Sequence, residues 1–209
     1  MTYQKVIHFV LVVALITAAA QAGVITGSVW HVAGGIAGNA ILANVPNRTA
    51  DVIFTVNSPL VFDAGNSPTT TLAAFLASGG AFDIIENTPA TLTSATADIL
   101  IQFVGVVSVT NGQTFTAGHD DGLTLIIGGV DLGFNPGPTG FVNTTLTYNG
   151  PTGTFPFQLV YGECCSGPAN LHISLPFENA PGVPEPSTLG LVFTGLAGAA
   201  FAYARKRRT

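Results

Sequence analysis

Charge is scarce in this sequence, and positive charge is the scarcer sign. Only 8% of the 209 residues are Asp, Glu, Lys or Arg, against about 25% in a typical soluble protein. Residues 23–182 contain one basic residue, Arg48, and ten acidic residues. The formal charge of their side chains is therefore −9. Nucleic-acid binding depends on Lys and Arg residues that neutralise phosphates. The negative charge of residues 23–182 therefore excludes a nucleic acid as partner and favours cations as ligands.

The short length limits the number of domains and excludes a long multidomain enzyme. The 209 residues suffice for one domain of ordinary size with short extensions at either end. Hydrophobic residues make up 47% and the mean hydropathy is +0.51, which two apolar runs near the termini explain in part. We expect one folded domain at residues 23–182, between terminal segments at residues 1–22 and 183–209.

The first segment has the pattern of a secretory signal peptide. An apolar run at residues 6–20 leads into Ala20-Gln21-Ala22, directly before Gly23. Such an A-x-A pattern predicts an N-terminal signal helix that signal peptidase removes by cleavage before Gly23. A retained anchor helix is the weaker alternative, because the apolar run is short. We therefore expect the domain to be exported.

The last segment has three parts in a fixed order. An extended, Pro-containing stretch comes first, an apolar run at residues 189–204 follows, and a basic cluster ends the chain. Sixteen helical residues span roughly 24 Å, so this hydrophobic helix only marginally crosses a hydrocarbon core of about 30 Å. The basic cluster should remain cytoplasmic, which leaves the prolines accessible to a processing enzyme on the exported side. The residues concerned are Pro184, Glu185 and Pro186, and then Arg205, Lys206, Arg207 and Arg208.

This tail resembles the PEP-CTERM sorting signal of Gram-negative bacteria that make exopolysaccharide. The resemblance rests on Pro184-Glu185-Pro186 and the spaced basic cluster, and it covers about the last 27 residues. It implies recognition by a membrane exosortase, a transient inner-membrane anchor, removal of the tail, and delivery to the cell surface or biofilm matrix. A plain bitopic anchor is the alternative.

Cysteine is nearly absent, and the two cysteines, Cys164 and Cys165, are adjacent. Such a pair can close a vicinal disulfide, bond to another chain or stay reduced. Export places it in an oxidising compartment, and we predict the vicinal disulfide. It closes almost no chain, so it should add little stability. No helix N-terminus or basic group is evident to lower a thiol pKa, which argues against a catalytic cysteine.

Between the two ends the sequence has the pattern of a β protein. Short β-branched or aromatic runs alternate with turn signals such as Asn111-Gly112, which predicts an antiparallel sandwich or barrel. One helix is predicted at residues 70–77, and the glycines at residues 34–38 indicate a surface loop. The predicted strands are residues 52–56, 99–104, 114–117, 123–127, 144–148, 155–161 and 171–175.

Asp120 and Asp121, followed by Gly122, are the strongest candidate for a site. Two carboxylates in a turn can present oxygens to a hard cation such as Ca²⁺, which takes about six to eight oxygen ligands. Neighbouring strand side chains point to opposite faces, so an ordinary trans pair would not converge easily. The pair would therefore need a special backbone to converge. A cis peptide bond between two non-proline residues costs about 3–4 kcal/mol, and metal coordination is able to offset that cost. The alternative is a solvated turn, where Asp is a favoured residue.

Four segments also resemble a known module. Residues 113–116, 120–129, 157–163 and 169–173 are similar to the protective-antigen-type β-sandwich shared with yeast flocculins and epithelial adhesins. The resemblance extends over residues 24–177 and implies an all-β fold, a jelly-roll-like antiparallel β-sandwich.

In the sugar-binding members of that family, the aspartates matching Asp120 and Asp121 hold a calcium ion that contacts sugar hydroxyls. This sequence departs from the pattern at Gly128, where an acidic residue is common, and not every member binds sugar. The resemblance thus implies Ca²⁺ as cofactor and an extracellular polysaccharide as partner.

Three functions follow from these observations. The first is an exported matrix protein that binds calcium and carbohydrate, and the second is a structural matrix protein without a specific ligand. The third is an exported hydrolase that assembles His119, His172 and Glu163 into a site with an aspartate. Because no recognised nucleophile motif accompanies these residues, we do not expect an enzyme.

Overall fold

Strands dominate the part of the chain that the computed structural model describes, which comprises residues 23–63, 65, 69–133, 135–165, 168–173 and 175. All of these residues belong to one compact unit. Among them, no helix combines the length and the apolar character needed to cross a bilayer. The signal helix expected at residues 1–22 and the hydrophobic helix expected within residues 183–209 lie outside the described residues.

The described residues form eleven strands, two α-helices and one short 3₁₀ helix. The strands are Val24–His31 (β1), Val52–Asn57 (β2), Leu60–Asp63 (β3), Phe82–Glu86 (β4), Ile99–Val109 (β5), Thr114–Asp120 (β6), Gly122–Ile127 (β7), Val130–Asp131 (β8), Val142–Thr147 (β9), Gly153–Glu163 (β10) and Asn170–Ile173 (β11). The helices are Gly34–Ala37 (α1) and Leu72–Ser78 (α2), and the 3₁₀ helix is Leu42–Asn44.

The strands form two antiparallel sheets. The larger sheet has the order β4-β2-β1-β5-β10-β7-β8, and the smaller has the order β3-β11-β6-β9. Every pairing between neighbouring strands is antiparallel. The prediction of an all-β, antiparallel fold is therefore confirmed.

The centre of the larger sheet is the long pair β5 and β10, and their side chains alternate between core and surface. Phe103 lies opposite Leu159 in the register, and both are fully buried. Gln102 points the other way and donates from Nε2 to Gln158 Oε1 over 3.2 Å. This period of two is what a strand with one face on the core requires.

Aromatic side chains from both sheets and from α2 fill the space between the layers. Phe54 of β2 packs edge-on against Phe62 of β3, with ring centroids 6.2 Å apart. Phe62 in turn stacks on Phe75 of α2 at 5.2 Å. All three rings are fully buried, so one continuous core holds the sandwich together.

Local structure departs from the sequence prediction in a few places. Residues 34–37 form a helical turn where a loop was expected, because Ala33 accepts backbone hydrogen bonds from Ile36 and Ala37. The predicted helix begins two residues later, at Leu72, because Thr71 caps it by accepting from the Ala74 N–H over 3.3 Å. Strands β1, β3, β4 and β8 were not predicted.

Candidate metal-binding site

The Asp120-Asp121 pair lies where the chain crosses from one sheet to the other. Asp120 is the last residue of β6 in the smaller sheet, and Gly122 is the first residue of β7 in the larger sheet. The peptide bond between the two aspartates is cis. Asp120 is 5% exposed and Asp121 is 6% exposed, so the pair is buried at the junction and is not a solvated turn.

A third carboxylate joins them from the neighbouring strand. Glu163 ends β10, which pairs with β7 so that Gly162 lies opposite Gly122. One carboxylate oxygen from each of Asp120, Asp121 and Glu163 lies within 4.8 Å of the other two. Glu163 is fully buried, and its Oε1 atom has no hydrogen-bond partner among the described residues.

Backbone groups from two loops fix the Asp121 carboxylate. The N–H of Thr139 donates to Oδ1 over 2.9 Å, and the N–H of Cys164 donates to Oδ2 over 2.9 Å. The backbone of Phe141 hydrogen-bonds to the Asp120 carboxylate. Two of these three donors come from the β8–β9 loop, which therefore holds both aspartates.

Side chains of β10 and β6 support the turn between the two aspartates. The Tyr161 hydroxyl donates to the backbone carbonyl of Asp120 and lies 3.2 Å from Glu163 Oε2. His119 Nδ1 is hydrogen-bonded to the Asp121 carbonyl oxygen, and its Nε2 lies 2.9 Å from Thr144 Oγ1. Burial lowers the pKa of His119, so its imidazole does not supply a positive charge to the site at neutral pH.

Among the residues that the structure describes, no basic side chain balances the three carboxylates. Burial, and then the charge of Asp121, raise the pKa of Asp120 to about 6. The same two causes raise the pKa of Glu163 to about 9. Arg48, the one Lys or Arg between residues 23 and 182, is paired with Asp51 at 2.7 Å. Burial without a cation therefore disfavours the ionised form of this group, and Glu163 in particular is protonated at neutral pH.

Close backbone packing around the turn requires glycine. A Cβ atom on Gly122 would lie 2.1 Å from the carbonyl oxygen of Pro136, and one on Gly162 would lie 2.2 Å from the carbonyl oxygen of Ala37. The β8–β9 loop and the α1 segment thus press directly on the two strands that carry the site. Any side chain at either glycine would separate them.

The arrangement suits a hard divalent cation. All three side chains offer oxygen, and carboxylate oxygens are the ligands that Ca²⁺ takes in proteins. No donor among the described residues reaches the Oε1 atom of Glu163, which a buried polar oxygen rarely tolerates. The residues present therefore fit a calcium ion, and Asp120, Asp121 and Glu163 would hold it.

The other predicted site residues are distributed differently. The Sγ atoms of Cys164 and Cys165 form a disulfide next to the site. His119 and His172 lie on opposite faces of the smaller sheet, since Leu171 pairs with His119 and His172 pairs with Gly118. The histidines of the hydrolytic alternative are thus not brought together. The sorting motif, the basic cluster, and Ala20 and Ala22 of the signal-cleavage pattern lie outside the described residues.

Glu163 was not predicted as a metal ligand. Its signal in the sequence is an acidic residue at the end of the apolar run Leu159-Val160-Tyr161-Gly162. Glu163 follows Asp121 by 42 residues, a separation that does not indicate a shared site. Only the pairing of β10 with β7 brings Glu163 next to Asp121.

Comparisons with known proteins separate the tail from the folded domain. The PEP-CTERM protein-sorting motif matches residues 182–208. The structure is similar to a PA14 sugar-binding domain from an RTX adhesin, with 21% identity and a TM-score of 0.51 over 76% of this chain and 91% of that one. It is also similar to the PA14 domain of the antifreeze protein MpAFP, with 17% identity and a TM-score of 0.50 over 77% and 84%.

No curated protein matches the sequence. At these identities the two structural similarities establish the fold, and the protective-antigen-type sandwich of the sequence resemblance is the same fold. The chain therefore carries a PEP-CTERM sorting motif at its C-terminus and a β-sandwich with the fold of these two PA14 domains.

Proposed function

We propose that this chain is an exported, exosortase-sorted protein of the cell surface or matrix, that its sandwich binds a calcium ion, and that it recognises extracellular carbohydrate. The observation that carries the proposal is the group of three buried acidic side chains, Asp120, Asp121 and Glu163, which has no basic partner in the described part of the chain. A structural turn would not gather three acidic side chains in the interior, because burying them ionised and unpaired is costly. Binding of a cation removes that cost.

Calcium would bring two things to this site. It would neutralise the carboxylates, and because it takes about six to eight oxygens, three side chains leave coordination positions that sugar hydroxyls can fill. The chain's own contribution is orientation. The Thr139 and Cys164 N–H groups hold Asp121, and the Phe141 backbone holds Asp120.

Three further observations support carbohydrate as the ligand class. The similar RTX adhesin domain is described as sugar-binding, and the sorting motif is expected to deliver this domain to a polysaccharide matrix. The Phe141 side chain, whose backbone contacts the site, is 49% exposed. An exposed aromatic ring offers an apolar face to the C–H face of a sugar. Trp30 does not serve this role, since it is buried and donates to the Arg48 carbonyl.

A melting experiment on the mature exported protein tests the calcium site. Calcium at a hundred times its dissociation constant should stabilise the fold by about 2.7 kcal/mol. Magnesium should do less, because it requires a tighter octahedral shell. Asp120→Asn and Asp121→Asn should each weaken the shift, whereas Asp83→Asn should not, since Asp83 is exposed on the opposite edge strand, β4.

Retention on the exopolysaccharide of the producing cell tests the sugar. We expect retention with calcium, and loss of retention with chelator and in both site variants. Calcium that leaves the melting curve unchanged across the millimolar range would refute the proposal. The chain would then be a structural matrix protein without a specific ligand.

A further inference from the structure

The Cys164–Cys165 disulfide lies directly beside the carboxylates of the metal site. Cys164 follows Glu163 in the chain, and its backbone N–H donates to Asp121 Oδ2 over 2.9 Å. Cys164 is 1% exposed, whereas Cys165 is exposed. One end of the disulfide therefore contacts the site, and the other is accessible to a reductant in solution.

The turn at the disulfide has a backbone conformation that an open chain would not favour. Cys165 has a φ of +69°, in the left-handed region that residues other than glycine rarely adopt. Cys164 is packed closely on its other side, since a Cβ on Gly38 would lie 3.3 Å from its Sγ atom. Opening the disulfide would remove the bond that ties Cys165 to Cys164, so the left-handed turn next to the Cys164 N–H would lose a constraint.

A role in global stability does not account for this disulfide. The stabilisation that a disulfide provides grows with the length of chain that it closes, and two adjacent residues close almost none. Its effect is therefore local. Two features lie next to the disulfide. They are Glu163, which precedes Cys164 in the chain, and the hydrogen bond from the Cys164 N–H to Asp121.

We propose that the Cys164–Cys165 disulfide is a positioning element for Asp121 and Glu163, and that its reduction weakens calcium binding at this site. The inference rests on the proposed calcium site. In the reductive step a small dithiol supplies two electrons and two protons, the S–S bond breaks to give two thiols, and the dithiol is oxidised to its own disulfide. Export into an oxidising compartment would keep the positioned form.

The test compares the mature protein in its oxidised form, the same protein reduced by a dithiol, and the double variant Cys164→Ser with Cys165→Ser. Hydrogen exchange of the amide at position 164, measured by NMR on metal-free protein, reports the contact to Asp121 without any metal. Calorimetric titration with calcium alone reports affinity. Intact mass establishes that the oxidised monomer is two hydrogens lighter than the reduced one.

We expect reduction to speed exchange of this amide and to raise the calcium dissociation constant, each about tenfold, as loss of a hydrogen bond to a charged group predicts. The Leu125 amide in β7 should be unaffected. The double variant should behave like the reduced protein and should not respond to dithiol. If it fails to fold, reduction of the unmodified protein carries the test alone.

Unchanged exchange and unchanged affinity after reduction would overturn the inference and leave the calcium site intact. Two free thiols or a disulfide-linked dimer in freshly secreted protein would also overturn it. An oxidised protein that binds no calcium would refute the proposed function, and the inference with it.

Discussion

A single residue, Glu163, changes what the Asp120-Asp121 pair can do. Two adjacent aspartates in a turn are common, but a third carboxylate, fully buried and with one unpartnered oxygen, is not. Its pKa is raised to about 9 by burial and by Asp121. Without metal this residue holds a proton at neutral pH, so calcium binding there should release protons.

That raised pKa makes the stability of the metal-free protein depend on pH. A carboxylate whose folded pKa lies above its unfolded pKa contributes stability that is complete below pH 4.5 and is lost as pH rises towards about 9. We therefore expect the free energy of unfolding to fall as pH rises from about 4.5 towards about 9, by at most about 1.4 kcal/mol per unit from this one group. Urea denaturation of metal-free protein between pH 5 and 9 measures it.

The Glu163→Gln variant should lose most of this pH dependence, because glutamine resembles the protonated acid and does not titrate. Asp120, whose pKa is about 6, accounts for any slope that remains below that pH. The exposed Asp83→Asn change should keep the original slope. Equal slopes above pH 6 in the original protein and in Glu163→Gln would contradict the assignment.

At the scale of elements, the β6–β7 crossing places the site by contacts between backbones. The loop before β9 lies so close to β7 that a Cβ on Gly122 would lie 2.1 Å from the Pro136 carbonyl oxygen. The same loop donates the Thr139 N–H to Asp121. The position of this loop therefore determines both the packing of the strand and the orientation of the carboxylate.

A glycine substitution tests this link. Gly122→Ala should destabilise the fold by about 1–3 kcal/mol, since neither backbone can easily move aside, and it should also weaken calcium binding. Gly140→Ala is the matched control in the same loop, because its Cβ would meet no atom within 4 Å. We expect that control to be neutral or to stabilise by up to about 1 kcal/mol. Thermal melts with and without calcium measure both effects, and equal stabilities would contradict the steric argument.

How far sequence alone reaches is also visible at this scale. β5 and β10 were predicted because their β-branched and aromatic residues are continuous, as in a strand at the centre of a sheet. β1 was missed because Thr26-Gly27-Ser28 interrupts its apolar pattern. Gly27 lies in a strand because its missing Cβ leaves space for the Phe54 ring, 2.1 Å from where that atom would be. Such a reason exists only in the folded state.

The candidate site likewise has one part that the sequence predicts and another part that only the fold brings together. Asp120, Asp121 and Gly122 are adjacent, so their residue types alone indicate an acidic turn. Glu163 and the backbone donors of residues 139, 141 and 164 come from distant parts of the chain. They meet the turn only through the pairing of β10 with β7 and the course of one loop, which no local pattern predicts.

For the whole molecule, the sorting motif that follows the sandwich predicts its fate in the cell. Replacing Pro184, Glu185 and Pro186 with alanine should leave an uncleaved precursor held in the membrane, because the tail matches the PEP-CTERM sorting motif. The unchanged protein should lose residues 189–209 on maturation. Intact mass spectrometry of the surface and membrane fractions distinguishes the two, and a fully mature product from the alanine variant would contradict it.

The pairing of Arg48 with Asp51 has a consequence for how the domain meets charged polymers. Residues 23–182 have a formal charge of −9, and their one arginine already donates to the Asp51 carboxylate. An acidic polysaccharide is therefore repelled at long range, and monovalent salt, which limits that repulsion to about 8 Å at physiological strength, eases the approach. Ionic strength should thus act on this domain in the opposite sense from its effect on a basic adhesin, whose attraction the same salt would screen.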